Sequence, residues 1–216
     1  MPIRAYKNKY PSVTTILSIL RKIGLEMWFK YNTAKFCDDK SKKGKLIGTQ
    51  IHDGIQSFIE TGKAKVDTEY EEEVTIALQS FMKFRKEHPK FELETCELAL
   101  TSEKHKFNGT IDCIGKNIIL DWKTGECKDK DAPKIYDEWK YQVAAYVHLY
   151  NEVMKKKIKK CVIVAIGKDK VSYDLCEMGE EEINDCFNQA FLPCLSIVNF
   201  QKEQKRRAKE GIFYVK

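Results

Sequence analysis

The chain has 216 residues, 43% of them hydrophobic and 11% aromatic, with eleven glycines, five prolines and a formal net charge of +6. This is enough apolar material for one packed domain, and the glycine and proline content excludes a low-complexity or largely disordered chain. No apolar run approaches the roughly 18 residues that span a bilayer, and the start "MPIRAYKNKYPS" lacks the apolar core of a secretion signal. The expectation is a single domain over 1–216, intracellular and cytoplasmic, with no membrane partner.

In chain order, "PSVTTILSIL" reads as a helix start with Ser12 as cap, and "GLEMWFKYNTAKFC" continues helically with aromatics that look exposed. Residues 46–61 place Ile51, Ile55, Phe58 and Ile59 on one helical face, ended by Gly62. Residues 69–87 form a further amphipathic helix, stopped by "HP" at 88–89. The period then changes from helical to alternating. Strands are expected over 91–102, 107–115 and 117–124, a long helix over 136–154, an almost wholly apolar strand over 159–168, an edge strand over 171–178, and closing helix over 180–209. That order predicts an α/β fold with a central mixed sheet flanked by helices: a helical part over 1–90, the sheet and its helix over 91–175, and a helical end over 176–216.

Basic residues cluster in "KSKKGK" (40–45), "KKKIKK" (155–160) and "QKRRAK" (204–209). Such runs suit a polyanionic partner, although a solvated face explains them equally. The eight cysteines form no CxxC pair, and Cys113 and Cys161 lie inside apolar strands, where cysteine acts as a small hydrophobe. Reduced thiols are the expectation.

The stretch "GTIDCIGKNIILDWKTG" (109–125) carries the chemistry. A two-residue turn at Lys116 and Asn117 pairs Ile114 with Ile119, Cys113 with Leu120 and Asp112 with Asp121. Alternation then sends Asp112, Asp121 and Lys123 to one face, and Ile111, Cys113, Leu120 and Trp122 to the other. A one-residue slip destroys that segregation. Directly opposed like charges are destabilising, so the pair needs a reason. A salt bridge to Lys123 is one; a divalent cation held between the carboxylates, Mg²⁺ or Mn²⁺ by its hard oxygen ligands, is the other. Lys123, on the same face, then serves the water or the charged transition state.

The series "GTQIH" (48–52), "GTID" (109–112), "DWKTG" (121–125) and "QVAAY" (142–146), in this order, resembles the PD-(D/E)xK nuclease superfamily, within it the RecB-like exonuclease branch. The resemblance covers roughly residues 45 to 165. It implies metal binding by His52, Asp112 and Asp121, catalysis by Lys123, and support of the metal site by Glu97. Glu92 and Glu94, on the same strand, compete with Glu97 for that role. It assigns Gln142 a place near Lys123 or the scissile phosphate and Tyr146 one near the DNA backbone. Their spacing puts both on one helical face, where ordinary amphipathic packing also accounts for them. Thr124 and Gly125 would let substrate approach the backbone.

Some relatives hold a four-iron cluster. Cys37 stands where their early ligand does, but Cys176, Cys186 and Cys194 are spaced too widely to match the later ones. No G-x-x-x-x-G-K-[ST] occurs, so unwinding would come from a separate helicase or recombination protein. The resulting expectation is a Mg²⁺- or Mn²⁺-dependent deoxyribonuclease, an exonuclease acting on single-stranded DNA or DNA ends in replication, repair or recombination. Alternatives are an endonuclease, a CRISPR-type adaptation nuclease, or an inactive nuclease fold that only binds DNA. Trp28, Phe29 and Tyr31, interleaved with Lys30 and Lys35, either stack bases or pack a helical lid onto the sheet.

Overall fold

The computed structural model describes residues 9–64, 66, 69–127 and 130–210. The first eight and last six residues of the expected single domain lie outside the described residues. Five strands, β1 (Leu93–Ser102), β2 (Phe107–Gly115), β3 (Ile118–Gly125), β4 (Cys161–Gly167) and β5 (Tyr173–Met178), form one sheet in that order. All neighbours are antiparallel except β3 and β4, which run parallel. The helix α5 (Asp137–Met154) makes the crossover that a parallel pair requires. The expected mixed sheet flanked by helices is the one observed.

Each face of the sheet has its own core. On one, α1 (Val13–Leu17), α5, α6 (Glu180–Asp185) and α7 (Leu192–Lys209) cover Phe107, Ile111, Ile119 and Ile163. On the other, α3 (Ala34–Thr61) and α4 (Glu71–Glu87) cover Cys113, Leu120, Trp122 and Val164. β4 is buried along its whole length because Cys161 and Ile163 fill one core while Val162, Val164 and Ile166 fill the other. That explains its unbroken apolar sequence.

The helix ends follow local chemistry. Ser12 Oγ accepts from the Thr15 N–H and caps α1, Thr33 caps α3 through the Phe36 N–H, and Gly62 closes α3 at φ 75°. Sequence pattern under-called α3, which begins at Ala34 rather than near residue 46. Only its second half has an apolar stripe, so periodicity was silent over 34–45. The closing helix is also not uniform: a π-helical turn over Cys186–Phe191 joins α6 to α7 and drives Phe187 and Phe191 into the core.

The short helix α2 (Ile23–Tyr31) differs from the rest, since none of its residues is buried. It is not a lid packed on the sheet.

Candidate active site

The hairpin register is the predicted one: Gly115 pairs with Ile118, Ile114 with Ile119 and Cys113 with Leu120, around a turn in which Asn117 has φ 60°. The ladder stops there. Asp112 and Asp121, expected to face each other as the next pair, are not joined by it. Asp112 Oδ2 instead accepts the Trp122 N–H at 2.9 Å, so a carboxylate takes a donor that a strand partner would otherwise use. The segregation of side chains is also corrected at one position. Cys113, Leu120 and Trp122 share the α3/α4 core as expected, but Ile111 enters the opposite core, beside α1 and α5.

The cause is a paired irregularity. On β1, Cys96 packs against the α3/α4 core and Leu98 against the other, so β1 changes face at Glu97 just as β2 does at Asp112. The pairs Cys96↔Cys113 and Leu98↔Ile111 bracket the two acids, and Glu97 takes φ 53°. A non-glycine residue in that region is uncommon and costs of the order of 1 kcal/mol or more, which concentrates such residues at functional sites. The bend aims both carboxylates toward α3, where His52 stands beside the Ile47/Ile51/Ile55 stripe.

His52 Nδ1 lies 3.7 Å from Asp112 Oδ2. One ligating atom from each of His52, Glu97 and Asp112 falls within 4.8 Å of the other two, and among the described residues this is the trio of potential metal ligands that converges. One imidazole nitrogen and two carboxylates form a donor set suited to a hard or borderline divalent cation. The residues therefore fit such an ion. Glu97 is part of this group, whereas its neighbours Glu92 and Glu94 lie outside it and are exposed.

Asp121 stands outside the trio. It is fully buried, the Lys123 ammonium lies 2.6 Å from Oδ2, and Oδ1 has no hydrogen-bond partner. Burial pushes its carboxyl up to about 6; the Lys123 charge works against that rise and the Asp112 charge adds to it. Lys123 is held above its ordinary range: burial opposes its charge, but Asp121 and Asp112 outweigh burial. The salt-bridge reading of the hairpin is thus partly right. It satisfies Lys123 and leaves an orphaned buried carboxylate oxygen, a cost that a second cation would remove.

A cleft of about 400 Å³ is lined by His52, Asp112, Lys123, Thr124, Gln142 and Tyr146, with Ser12 and Thr14 along its edge. Gln142 Nε2 donates to the Tyr146 hydroxyl at 2.9 Å, while Val143 and Val147 turn into the core. The packing reading holds: Tyr146 is buried in the same core as Val143 and Val147 while its ring also lines the cleft. A Cβ on Gly109 would lie 2.7 Å from the Tyr146 ring, so glycine there lets α5 close on β2 and sets the tyrosine's position. Gly125 also has a packing reason to be glycine: a Cβ there would meet Pro133 at 2.9 Å. Ser12 and Thr14 were not recognised as cleft residues. Their place follows from a bridge between Ser12 and Asn108 and from Asn108 Nδ2 donating to the Tyr10 carbonyl at 2.8 Å, long-range pairings with no local sequence signal.

All eight cysteines are free thiols. Cys176, Cys186 and Cys194 pack in or against the α5-side core, and Cys37 is buried on α3. No helix among the described residues is long and apolar enough to cross a membrane.

Residues 28–208 match the PD-(D/E)XK nuclease superfamily, and the chain belongs to it. Solved structures similar to it include a putative exonuclease from Eubacterium rectale, 14% identical with a TM-score of 0.49, the match covering 78% of this chain and 68% of that one. Another is the alkaline exonuclease of Laribacter hongkongensis, 11% identical with a TM-score of 0.37, covering 93% and 94% of the two chains. A phage-related exonuclease from Haemophilus somnus is 10% identical with a TM-score of 0.36, covering 69% and 82%. No curated protein matches the chain. The family assignment rests on the match over 28–208.

Proposed function

We propose that the protein is a divalent-metal-dependent DNA nuclease, an exonuclease acting on single strands or DNA ends. The observation that carries this reading is the convergence of His52, Glu97 and Asp112 from three separate elements, two of which, His52 and Asp112, line one cleft with Lys123. In it, His52, Glu97 and Asp112 hold Mg²⁺ or Mn²⁺, with Asp121 completing the negative surroundings. Such an ion, when bound, supplies Lewis acidity toward a phosphodiester oxygen and lowers the pKa of water. Lys123 has no lone pair when charged and cannot be a ligand. Its ammonium, positioned by Asp121, sits where negative charge develops on the phosphoryl group. Gln142 and Tyr146 donate hydrogen bonds along the wall of the cleft and orient the phosphate.

The test is end-labelled single- and double-stranded DNA, linear and circular, incubated with Mg²⁺, Mn²⁺ or EDTA. Cleavage of linear DNA in either metal, none in EDTA and sparing of circles support the reading. Cutting of circles would move it to an endonuclease, and no cleavage in any metal would leave an inactive binding fold.

A further inference from the structure

The helix α2 exposes large apolar side chains to solvent: Phe29 is 49% and Tyr31 71% exposed, and Phe36 at the start of α3 is 44% exposed. An uncovered aromatic surface of this kind marks a binding site when its surroundings name a partner. Here the surroundings are cationic. Residues 21–45 carry eight lysines and arginines against three acids, a net +5 beside the +6 of the whole chain. The charges are interleaved with the rings: Lys30 Nζ lies 5.8 Å from the Tyr31 ring centre and Lys40 Nζ 5.8 Å from that of Phe36.

Helix α3 links this surface to the cleft, carrying Phe36 and Lys40 at one end and His52 further along. Trp28 contacts both Phe29 and Phe36, with ring centres 5.1 and 6.2 Å apart, and Trp28, Phe36 and Lys40 form one wall of a cavity of about 690 Å³. The cavity reaches Gly44 on α3 and Lys168 after β4. One helical turn beyond Gly44, Gly48 faces Thr124, with 3.8 Å between a Cβ built there and Oγ1, and one further turn on is His52. Four acids line the cavity: Glu73 and Glu126 are paired with Lys43 at 2.8 Å and Lys168 at 3.6 Å, Asp169 accepts the Cys127 N–H at 2.9 Å, and Glu72 is exposed.

We propose that α2 and the start of α3 form a base-stacking platform for an unpaired strand, which receives the bases adjoining the phosphodiester held at His52, Glu97 and Asp112. The inference rests on the nuclease reading of that cleft and adds its substrate form. Exposed aromatics take successive bases by their π faces without regard to sequence, and the interleaved lysines track the phosphates. A duplex, whose bases are already stacked on each other, offers no such faces.

The experiment is fluorescence anisotropy in EDTA with a labelled oligothymidylate and a blunt duplex of equal length, for the wild type, Phe29→Ala/Tyr31→Ala and Phe29→Leu/Tyr31→Leu. Both positions are exposed on a helix with no fully buried residue, and thermal melting checks the fold. Single-strand affinity is expected to fall about tenfold or more in both variants, in line with the loss of one or two stacked bases, and duplex affinity to change much less. Unchanged single-strand affinity, an equal loss on duplex, or recovery in the leucine variant, which would mark an apolar protein-docking face, overturns the platform. Hydrolysis of bis(p-nitrophenyl) phosphate by the wild type with Mn²⁺ tests the metal cleft alone. Its absence would sink the cleft reading and leave the affinity result to stand by itself.

Discussion

The two ends of the central hairpin obey different rules. From Cys113 to Leu120 the strands pair regularly and every inward side chain is apolar, so this end contributes burial and fixes register. One residue further, at Asp112 and Asp121, the ladder opens, a carboxylate takes the Trp122 N–H, and a fully buried acid is left with one oxygen unpartnered beside the Lys123 ammonium. The same sixteen or so residues thus hold the fold at one end and store unfavourable charge at the other, the usual arrangement where a site is kept ready for a ligand. Substitutions at the two ends should separate activity from stability.

The largest effect is expected at the open end. Lys123→Ala should lower the cleavage rate by several orders of magnitude while calorimetric metal binding stays close to wild type, because Lys123 acts on the developing charge and not on the ion. Asp121→Asn should abolish cleavage in both metals with the fold and DNA affinity retained. Near-normal turnover in either variant would return the hairpin to a plain salt bridge.

At the turn end the pattern inverts. Leu120→Ala removes a fully buried side chain beneath α3 and α4, and denaturant unfolding should register a loss of about 2–5 kcal/mol. At a temperature where the variant is folded, its turnover should stay within an order of magnitude of wild type. A loss of activity as deep as that of Lys123→Ala would mean that the two ends are not separable.

How much of this was legible without coordinates follows the same division. The register was carried by period-two patterning, the turn at Lys116 and Asn117 by asparagine's tolerance of a left-handed conformation, and β4 by its unbroken apolar run, all of them local signals. The opening of the ladder was not, because it depends on Glu97 and Asp112 bending together across two strands. The resemblance placed metal binding at His52, Asp112 and Asp121 with Glu97 in support, whereas the ligand atoms that converge are those of His52, Glu97 and Asp112. Ser12 and Thr14 escaped notice because tertiary pairing with Asn108, not spacing, brings them to the cleft. The aromatics of α2 read as exposed, but whether the helix packs as a lid did not follow from sequence, since mixed aromatic and basic residues suit either state.

A smaller effect is expected from pH in the metal-free protein. Asp121 titrates near 6 in the fold against an ordinary value of 3.8. Its raised value contributes stability that is full below about 4 and lost as pH rises through about 6. The unfolding free energy of wild type minus that of Asp121→Asn, both in EDTA, should therefore decline by a few kcal/mol between pH 4 and 7. A flat difference would mean that Asp121 is ionised at no cost.

The smallest effects concern the basic runs. Ile119 lies beside Cys161 and Lys123 beside Ala165, so the run 155–160 precedes β4 at the end of the sheet remote from Lys123. In the run 204–209, Arg206 and Arg207 are engaged by Glu203, and Arg206 also by Glu210. Charge reversal in either should leave the salt dependence of DNA affinity nearly unchanged, whereas reversal at Lys40 and Lys42 should flatten it by about one to two in log–log slope. Equal slopes for all three variants would make the 40–45 run merely a solvated face.

The central claim is that His52, Glu97 and Asp112 hold a divalent cation. Its most direct test is calorimetric titration of Mn²⁺ into the wild type and into His52→Ala, Glu97→Gln and Asp112→Asn, without DNA. The account predicts binding by the wild type that is weakened at least tenfold in each of the three variants, with the melting profile of each still cooperative. Wild-type affinity in all three variants would contradict it.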